Sequence, residues 1–459
     1  MAEILRNRPL LILALTLILG LTLREYPVNF IFVPLFWFLL KSVSKIWPSM
    51  IGLAIGIWLA PDIPSSGVTS TTFLEAKAQI VSVPRLFPEQ IYYEIQVGNY
   101  RLRAREPVNA DRSYGDELLV RGLVKPLREG TDEYLLQRNV VGRFEPISVE
   151  VVQRGPGWMR RAADVRRTFV AYSRSVLPLK NAAILDALCF NVEGGLSDEF
   201  EDTLRRTGTI HIISASGLHV FVLALAVEWL LGLLPIPRSA KLLLVFLLLA
   251  AYCAAAGLQP AIIRSVVMYV VASTAYLWQR EADLLSALAL SAALYLAWEP
   301  HGVFNLGFQF SFLTVAAFAI FGQFDDSPAR SVREVLIKAV KDAFKTSNIA
   351  YWATLPLLLY YFGSISFVAI PSNLLIIPAA MVLVIGGMAS FVVAGWFPQF
   401  AGTVASLLLN PLISYLEQIL SLFGNLRIAT VSGGFFSAYW LVPLYVAILF
   451  MVRERVRPA

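Results

Sequence analysis

Three histidines occur in 459 residues, and two of them fall in one apolar stretch, Gly208-Thr-Ile-His-Ile-Ile-Ser-Ala-Ser-Gly-Leu-His-Val220. Imidazole exchanges a proton near neutral pH, so His211 and His219 are the first candidates for chemistry. On a continuous helix His211, Ser214, Ala215, Leu218 and His219 follow the i, i+3, i+4, i+7, i+8 spacing, and their polar and small members form a stripe down one side, with Ser216 and Gly217 inside the same stretch. Gly217 weakens such a helix and permits either a close backbone approach or a local break. Two readings stand: hydrogen bonds that pin one helix to another, or the lining of a transport path, because lipid solvates such groups poorly.

Other chemistries fare worse. A zinc site needs three or four converging ligands, whereas only His301 remains, Cys189 and Cys253 form no paired motif, and no His-Glu-x-x-His occurs. No metal or cofactor is expected. An intramembrane serine hydrolase would use Ser216-Gly217 as its nucleophile turn, but the glycine two residues before the serine is missing and His219 is close in sequence rather than on a facing helix. No enzyme is expected. Titratable histidines in a span also suit a proton- or ion-coupled transporter of a small solute.

More polar residues sit in apolar surroundings. Arg264, in Ala261-Ile-Ile-Arg-Ser-Val-Val-Met268, needs a carboxylate, carbonyls, water or a phosphate for its donors, unless it snorkels from the start of its span. Gln309 and Ser311 stand in Gly307-Phe-Gln-Phe-Ser-Phe312, and Asn373 opens Asn373-Leu-Leu-Ile-Ile-Pro378, whose proline frees a backbone carbonyl. Helix–helix hydrogen bonding is the plain alternative for these three.

The elements that must hold these groups follow from composition. With 57% hydrophobic and 15% charged residues and a mean hydropathy of +0.65, the chain is too apolar for a soluble protein of this size. The expected fold is a polytopic α-helical membrane protein with an inserted small all-β, OB-like, extracytoplasmic domain. The net charge of +6 fits basic cytoplasmic loops. Apolar segments at residues 10–23, 28–40 and 50–60 make up an N-terminal membrane part, 1–63. The first follows Arg6 and Arg8 like a signal peptide but has no clear cleavage site, so it reads as a retained anchor. Lys41 and Lys45 would lie inside. A basic amphipathic stretch at 156–180, with Trp158 near its start, reads as a helix in the headgroup plane. The core, 181–459, carries apolar segments at 210–234, 242–256, 261–278, 284–298 and 303–321. After a basic cytoplasmic loop at 323–345 come 349–361, 374–395, 404–423 and 438–451, then a tail with Arg453, Arg455 and Arg457. Charge asymmetry closes with about twelve crossings and both termini cytoplasmic.

Residues 64–155 read as five short strands, at 72–83, 90–97, 100–105, 117–124 and 140–152, separated by Pro84, Gly98-Asn99, Pro107, Gly115-Asp116 and Gly130. That pattern fits a small OB-type barrel. Arg101, Arg103 and Arg105 alternate with Tyr100, Leu102 and Ala104, so a period of two puts three guanidiniums on one face. Phe87, Tyr92 and Tyr93 supply rings for stacking, a combination suited to single-stranded nucleic acid. A solvated sheet face fits the same residues.

The sequence resembles the ComEC family of bacterial competence proteins. The resemblance rests on Thr207–Val220 with its Ser-Gly-Leu-His-Val ending; Tyr252, Gly257 and Arg264 with Met268; Glu299-Pro300; Gly307-Phe308-Gln309 with Ser311-Phe312; Pro356-Leu-Leu-Leu-Tyr-Tyr-Phe-Gly363; and Asn373 with Pro378. It covers about residues 155–450. Ala261, Ser265, Glu299, Asn305 and Tyr361 depart from residues frequent in the family, and the family's metallo-β-lactamase-like domain is expected to be lacking.

The resemblance implies an inner-membrane channel that passes single-stranded DNA into the cytoplasm during natural transformation. Tyr92, Tyr93, Tyr100, Arg101, Arg103 and Arg105 would receive the strand. His211, Ser214, Ser216, Gly217, His219, Arg264, Gln309, Ser311 and Asn373 would line its path. Expected partners are membrane lipid, a periplasmic or surface DNA receptor, a separate nuclease and a cytoplasmic ATPase, since no nucleotide-binding loop is present.

Overall fold

The computed structural model describes residues 9–23, 47–60, 67–87, 89–127, 133–192, 194–213, 216–322, 331–426 and 429–432. The expected spans at 28–40 and 438–451, Lys41, Lys45, the terminal arginines and Ser214 lie outside them.

In chain order the helices α1 (Pro9–Leu23) and α2 (Trp47–Leu59) come first. Strands β1 (Thr72–Ile80), β2 (Arg85–Leu86), β3 (Gln90–Val97), β4 (Tyr100–Pro107) and β5 (Glu117–Lys125) follow, then a short α3 (Glu133–Gln137) and β6 (Val140–Gln153). Next are α4 (Gly157–Val176), α5 (Leu179–Phe190), α6 (Asp198–Arg206), α7 (Ile210–Ile213), α8 (Gly217–Gly232), α9 (Arg238–Ala255), α10 (Pro260–Leu277) and α11 (Leu284–Trp298). A 3₁₀ turn (Pro300–Phe304) leads to α12 (Leu306–Phe321), α13 (Val332–Phe362), β7 (Ser364–Ser366) and α14 (Ala369–Ala394). Last come α15 (Pro398–Val404), a π-helical stretch (Ala405–Leu409), α16 (Asn410–Gly424) and β8 (Thr430–Ser432). The protein is thus mostly helical with one small β domain. Four helical stretches among the described residues are long and apolar enough to cross a membrane: α9, α10, α14 and the continuous Pro398–Gly424. Four further apolar helices, Leu10–Thr22, Gly217–Gly232, Leu284–Trp298 and Leu306–Phe321, are shorter.

By internal contacts the chain divides into two units. The first takes residues 1–172, 190–195 and 217–309. Its β sheet closes on itself: β1 pairs antiparallel with both β5 and β3, β3 with β4, β4 parallel with β6, and β6 with β5. The alternation of the strands fills the interior with Ile80, Ile91, Tyr93, Ile95, Leu102, Ala104, Leu118, Val120 and Phe144. Each large side chain so buried contributes roughly 1.5–3 kcal/mol. The extra strand β2, two residues long, pairs with β3 and is too short to leave a period in the sequence. Elsewhere in this unit α1 and α2 meet backbone to backbone. A Cβ on Gly56 would lie 2.4 Å from Leu17 O and one on Gly52 2.5 Å from Leu13 O, the close approach that a small-x-x-x-small spacing permits.

The second unit takes residues 173–189, 196–216 and 310–459. Ser197 caps α6, accepting from Phe200 N at 3.2 Å, and α14 packs on α16. β7 pairs with β8.

Two sequence expectations are corrected. The segment 210–234 is not one helix: α7 ends at Ile213 and α8 begins at Gly217, so the stripe from His211 to His219 does not run down one face. Gly217 sits at that break, one of the two roles its lack of a side chain allows. The basic segment 323–345 is not all loop either. From Val332 it is the first part of a 31-residue helix that carries Arg333, Lys338, Lys341 and Lys345 and continues into the apolar 349–361 segment. Ser331 caps it, accepting from Glu334 N at 3.2 Å, and this Ser-x-x-Glu start signal outweighs the charge pattern that suggested a loop.

Candidate functional site

On the barrel, the outer face of β4 presents Arg101, Arg103 and Arg105 while Leu102 and Ala104 point inward, as the period of two requires. Register sets Tyr92 opposite Arg105 and Glu94 opposite Arg103. The guanidinium of Arg103 lies 5.2 Å from the Tyr92 ring centre, a cation–π contact. Phe87 packs edge-on against the same ring at 4.9 Å, and Tyr100 is 56% exposed. Tyr93, expected to stack bases, is instead 2% exposed in the barrel core. Its hydroxyl donates to Glu106, which is also bonded to Arg112 at 2.6 Å. It alternates with Ile91 and Ile95 on the interior face of β3, and adjacency to Tyr92 in sequence hid that.

Arg101 is not a free receiving group. It pairs with Glu299 at 3.0 Å and stands 4.0 Å from Glu94, while Arg138 pairs with Glu94 at 2.9 Å. His301 Nδ1 lies 3.5 Å from Glu299. Burial opposes ionisation of Glu299, but His301 and Arg101 outweigh it and hold the carboxyl below the ordinary glutamate value.

These ion pairs line a cavity of about 100 Å³ between the barrel and the ends of α9, α10 and α11. Its wall holds four arginines, Arg85, Arg101, Arg138 and Arg166, against two glutamates, Glu94 and Glu299. Tyr114, Asn191, Gln259, Trp298, His301 and Asn305 add polar atoms and rings. Arg166 reaches it from α4, whose basic face turns to the barrel: Arg166 donates to Pro84 O at 2.8 Å and Arg160 pairs with Asp116 at 2.9 Å. None of Arg138, Arg166 and Glu94 stood out in the sequence, because each contact spans distant segments. Glu299 was visible as a residue beside Pro300, without its partner.

Pro260 lines the cavity and opens α10. Arg264 follows one turn later on the same side, roughly 6 Å along the axis. It is 6% exposed, with Nη2 3.3 Å from Ser265 Oγ, so it does not snorkel outward. A Cβ on Gly217 would lie 2.3 Å from Arg264 Nη2; the first residue of α8 and this guanidinium are in direct apposition. His219 is buried on α8. Gln309 donates Nε2 to Val303 O at 3.0 Å, tying α12 to the 3₁₀ turn that bears His301 and is followed by Asn305.

The other expected path residues belong to the second unit. His211 is exposed, Ser216 and Ser311 are half-buried, and Asn373 on α14 is half-buried with Oδ1 lacking a hydrogen-bond partner. Thus Gly217, His219, Arg264 and Gln309 lie in one unit and His211, Ser216, Ser311 and Asn373 in the other.

The family described as Competence protein matches residues 188–458, a stretch that holds Arg264, Glu299 and His301. ComE operon protein 3 of Bacillus subtilis (strain 168) is 23% identical over 300 residues, which are 65% of this chain and 38% of that protein. The chain therefore spans about two-fifths of the length of the curated relative it matches. No solved structure matches. With the Gly217–Arg264 apposition and the Glu299-Pro300 corner both inside the matched stretch, the chain belongs to the ComEC family of competence proteins.

Proposed function

We propose that this protein is an inner-membrane channel that passes single-stranded DNA into the cytoplasm during natural transformation, with both termini cytoplasmic and the barrel outside. The observation that carries this reading is a run of cationic groups in one unit: Arg103 over Tyr92 on the barrel, the arginine-lined cavity, and buried Arg264 a turn beyond its rim. A polyanion crossing a bilayer needs cationic contacts in series, none strong enough to hold it. The closed strand order, with its one parallel pair, supports an OB-type barrel, and ring-plus-guanidinium surfaces on such barrels suit single strands. The channel reading assigns no catalytic group. A receptor, a nuclease for the complementary strand and a cytoplasmic ATPase complete it as separate partners.

Binding of fluorescent oligo-dT to the purified full chain in detergent tests the first step. Affinity is expected to fall steeply and linearly in log–log form with salt. Absence of binding at low salt would remove the barrel's receiving role.

A further inference from the structure

Arg166 is 5% exposed, and its Nε has no hydrogen-bond partner among the described residues. Its Nη2 donates to a backbone carbonyl, Pro84 O. Among the described residues no carboxylate pairs with it, and the neighbouring charge, Arg167, is of the same sign; burial and that neighbour push its pKa down to about 10. A guanidinium taken from water without a counter-ion is destabilising unless an anion joins it. The two glutamates of the same cavity are already engaged, Glu94 by Arg138 and Glu299 by Arg101. The cavity also holds His301, whose Nε2 is buried and makes no hydrogen bond among the described residues. Two orphan nitrogens in one cationic cavity call for a ligand with several acceptor oxygens, and a phosphate supplies them.

We propose that the cavity is a phosphate site that takes one backbone phosphodiester of the arriving strand, with Arg166 as its anchor; the choice of a strand as the source rests on the channel reading above. Tyr114 and Trp298 in the wall offer rings to the adjoining base. Arg85 and Arg138 add positive charge to the same wall.

The test uses the full chain in detergent and four probes: inorganic phosphate, oligo-dT, oligo-dT with a neutral methylphosphonate backbone, and nanodiscs containing phosphatidylglycerol. Inorganic phosphate is expected to raise the melting temperature and to compete with oligo-dT, while the neutral oligomer competes at least tenfold less well. Arg166→Met is expected to weaken oligo-dT binding at least tenfold and to abolish the phosphate-induced shift, with Arg166→Lys intermediate. Should Arg166→Met fail to fold, the wild-type comparison of phosphate, charged and neutral oligomers decides alone. Undiminished binding in Arg166→Met, or equal competition by the two oligomers, overturns the site. Displacement of inorganic phosphate by the anionic nanodiscs but not by oligo-dT overturns the strand as its source. If wild-type chain binds inorganic phosphate but no oligomer, the channel reading fails while the anion site stands.

Discussion

Gly217 has no room for a side chain, because an added methyl would meet Arg264 Nη2 at 2.3 Å and Ser265 Oγ at 2.5 Å. Gly217→Ala is therefore expected to displace the guanidinium and lower transformation at least tenfold, whereas Gly232→Ala, which meets open space, leaves it unchanged; colony counts after DNA uptake decide. A second buried group behaves differently. Asp186 on α5 is wholly buried and accepts from Ser173 Oγ through Oδ1; its Oδ2 stands 3.8 Å from Arg174 Nε and accepts no hydrogen bond among the described residues. Burial raises its pKa from 3.8 to about 7, against the pull of Ser173 and Arg174. An acid whose folded pKa is raised stabilises the fold in its protonated form, so its contribution is full below 3.8 and is lost as pH climbs through about 7. Asp186→Asn is expected to raise stability at pH 8 by an amount on the order of 1–2 kcal/mol, read as a higher melting temperature, and to change it little at pH 5.

At the scale of elements, what the sequence made legible and what it hid separate by range. The alternation of Arg101, Arg103 and Arg105 with Leu102 and Ala104 reads directly as one strand with an outer cationic face, because a strand's period is local. Tyr93 went to the wrong face for the same reason: neighbours in a strand point oppositely, and only the register showed which face was inside. The break at Gly217 was readable as an option, whereas the Arg264 guanidinium that explains it lies far along the chain. The Arg101–Glu299 pair, 198 residues apart, had no sequence signal at all. That pair fastens β4 to the corner after α11. Its glutamate has a depressed pKa, so the stabilisation is present above the ordinary value of 4.5 and is lost as pH falls through the lower folded value. Acid below that point is expected to increase hydrogen exchange at the barrel–helix junction before the barrel core opens. On α13, Ser331→Ala removes the cap and is expected to cost about 1 kcal/mol and to fray the residues from Val332 to Lys338, seen as faster exchange there.

At the scale of the whole molecule, the path expected from sequence divides between two units, and the first unit alone holds the Arg103–Tyr92 face of the barrel, a cationic cavity and a buried arginine. Hydropathy and basic runs read the helical class well, because lipid imposes length and apolarity on each span. They read the basic stretch before α13's apolar half as a loop because charge marks the side of a membrane without saying whether the backbone is helical. The channel claim is most directly tested by following labelled double-stranded DNA in competent cells after deletion of the gene. Labelled single strand inside the cytoplasm is expected to disappear, with DNA accumulating outside the inner membrane, and to return on complementation with wild-type but not with Gly217→Ala. Internal strand at undiminished levels in the deletion would contradict the claim outright.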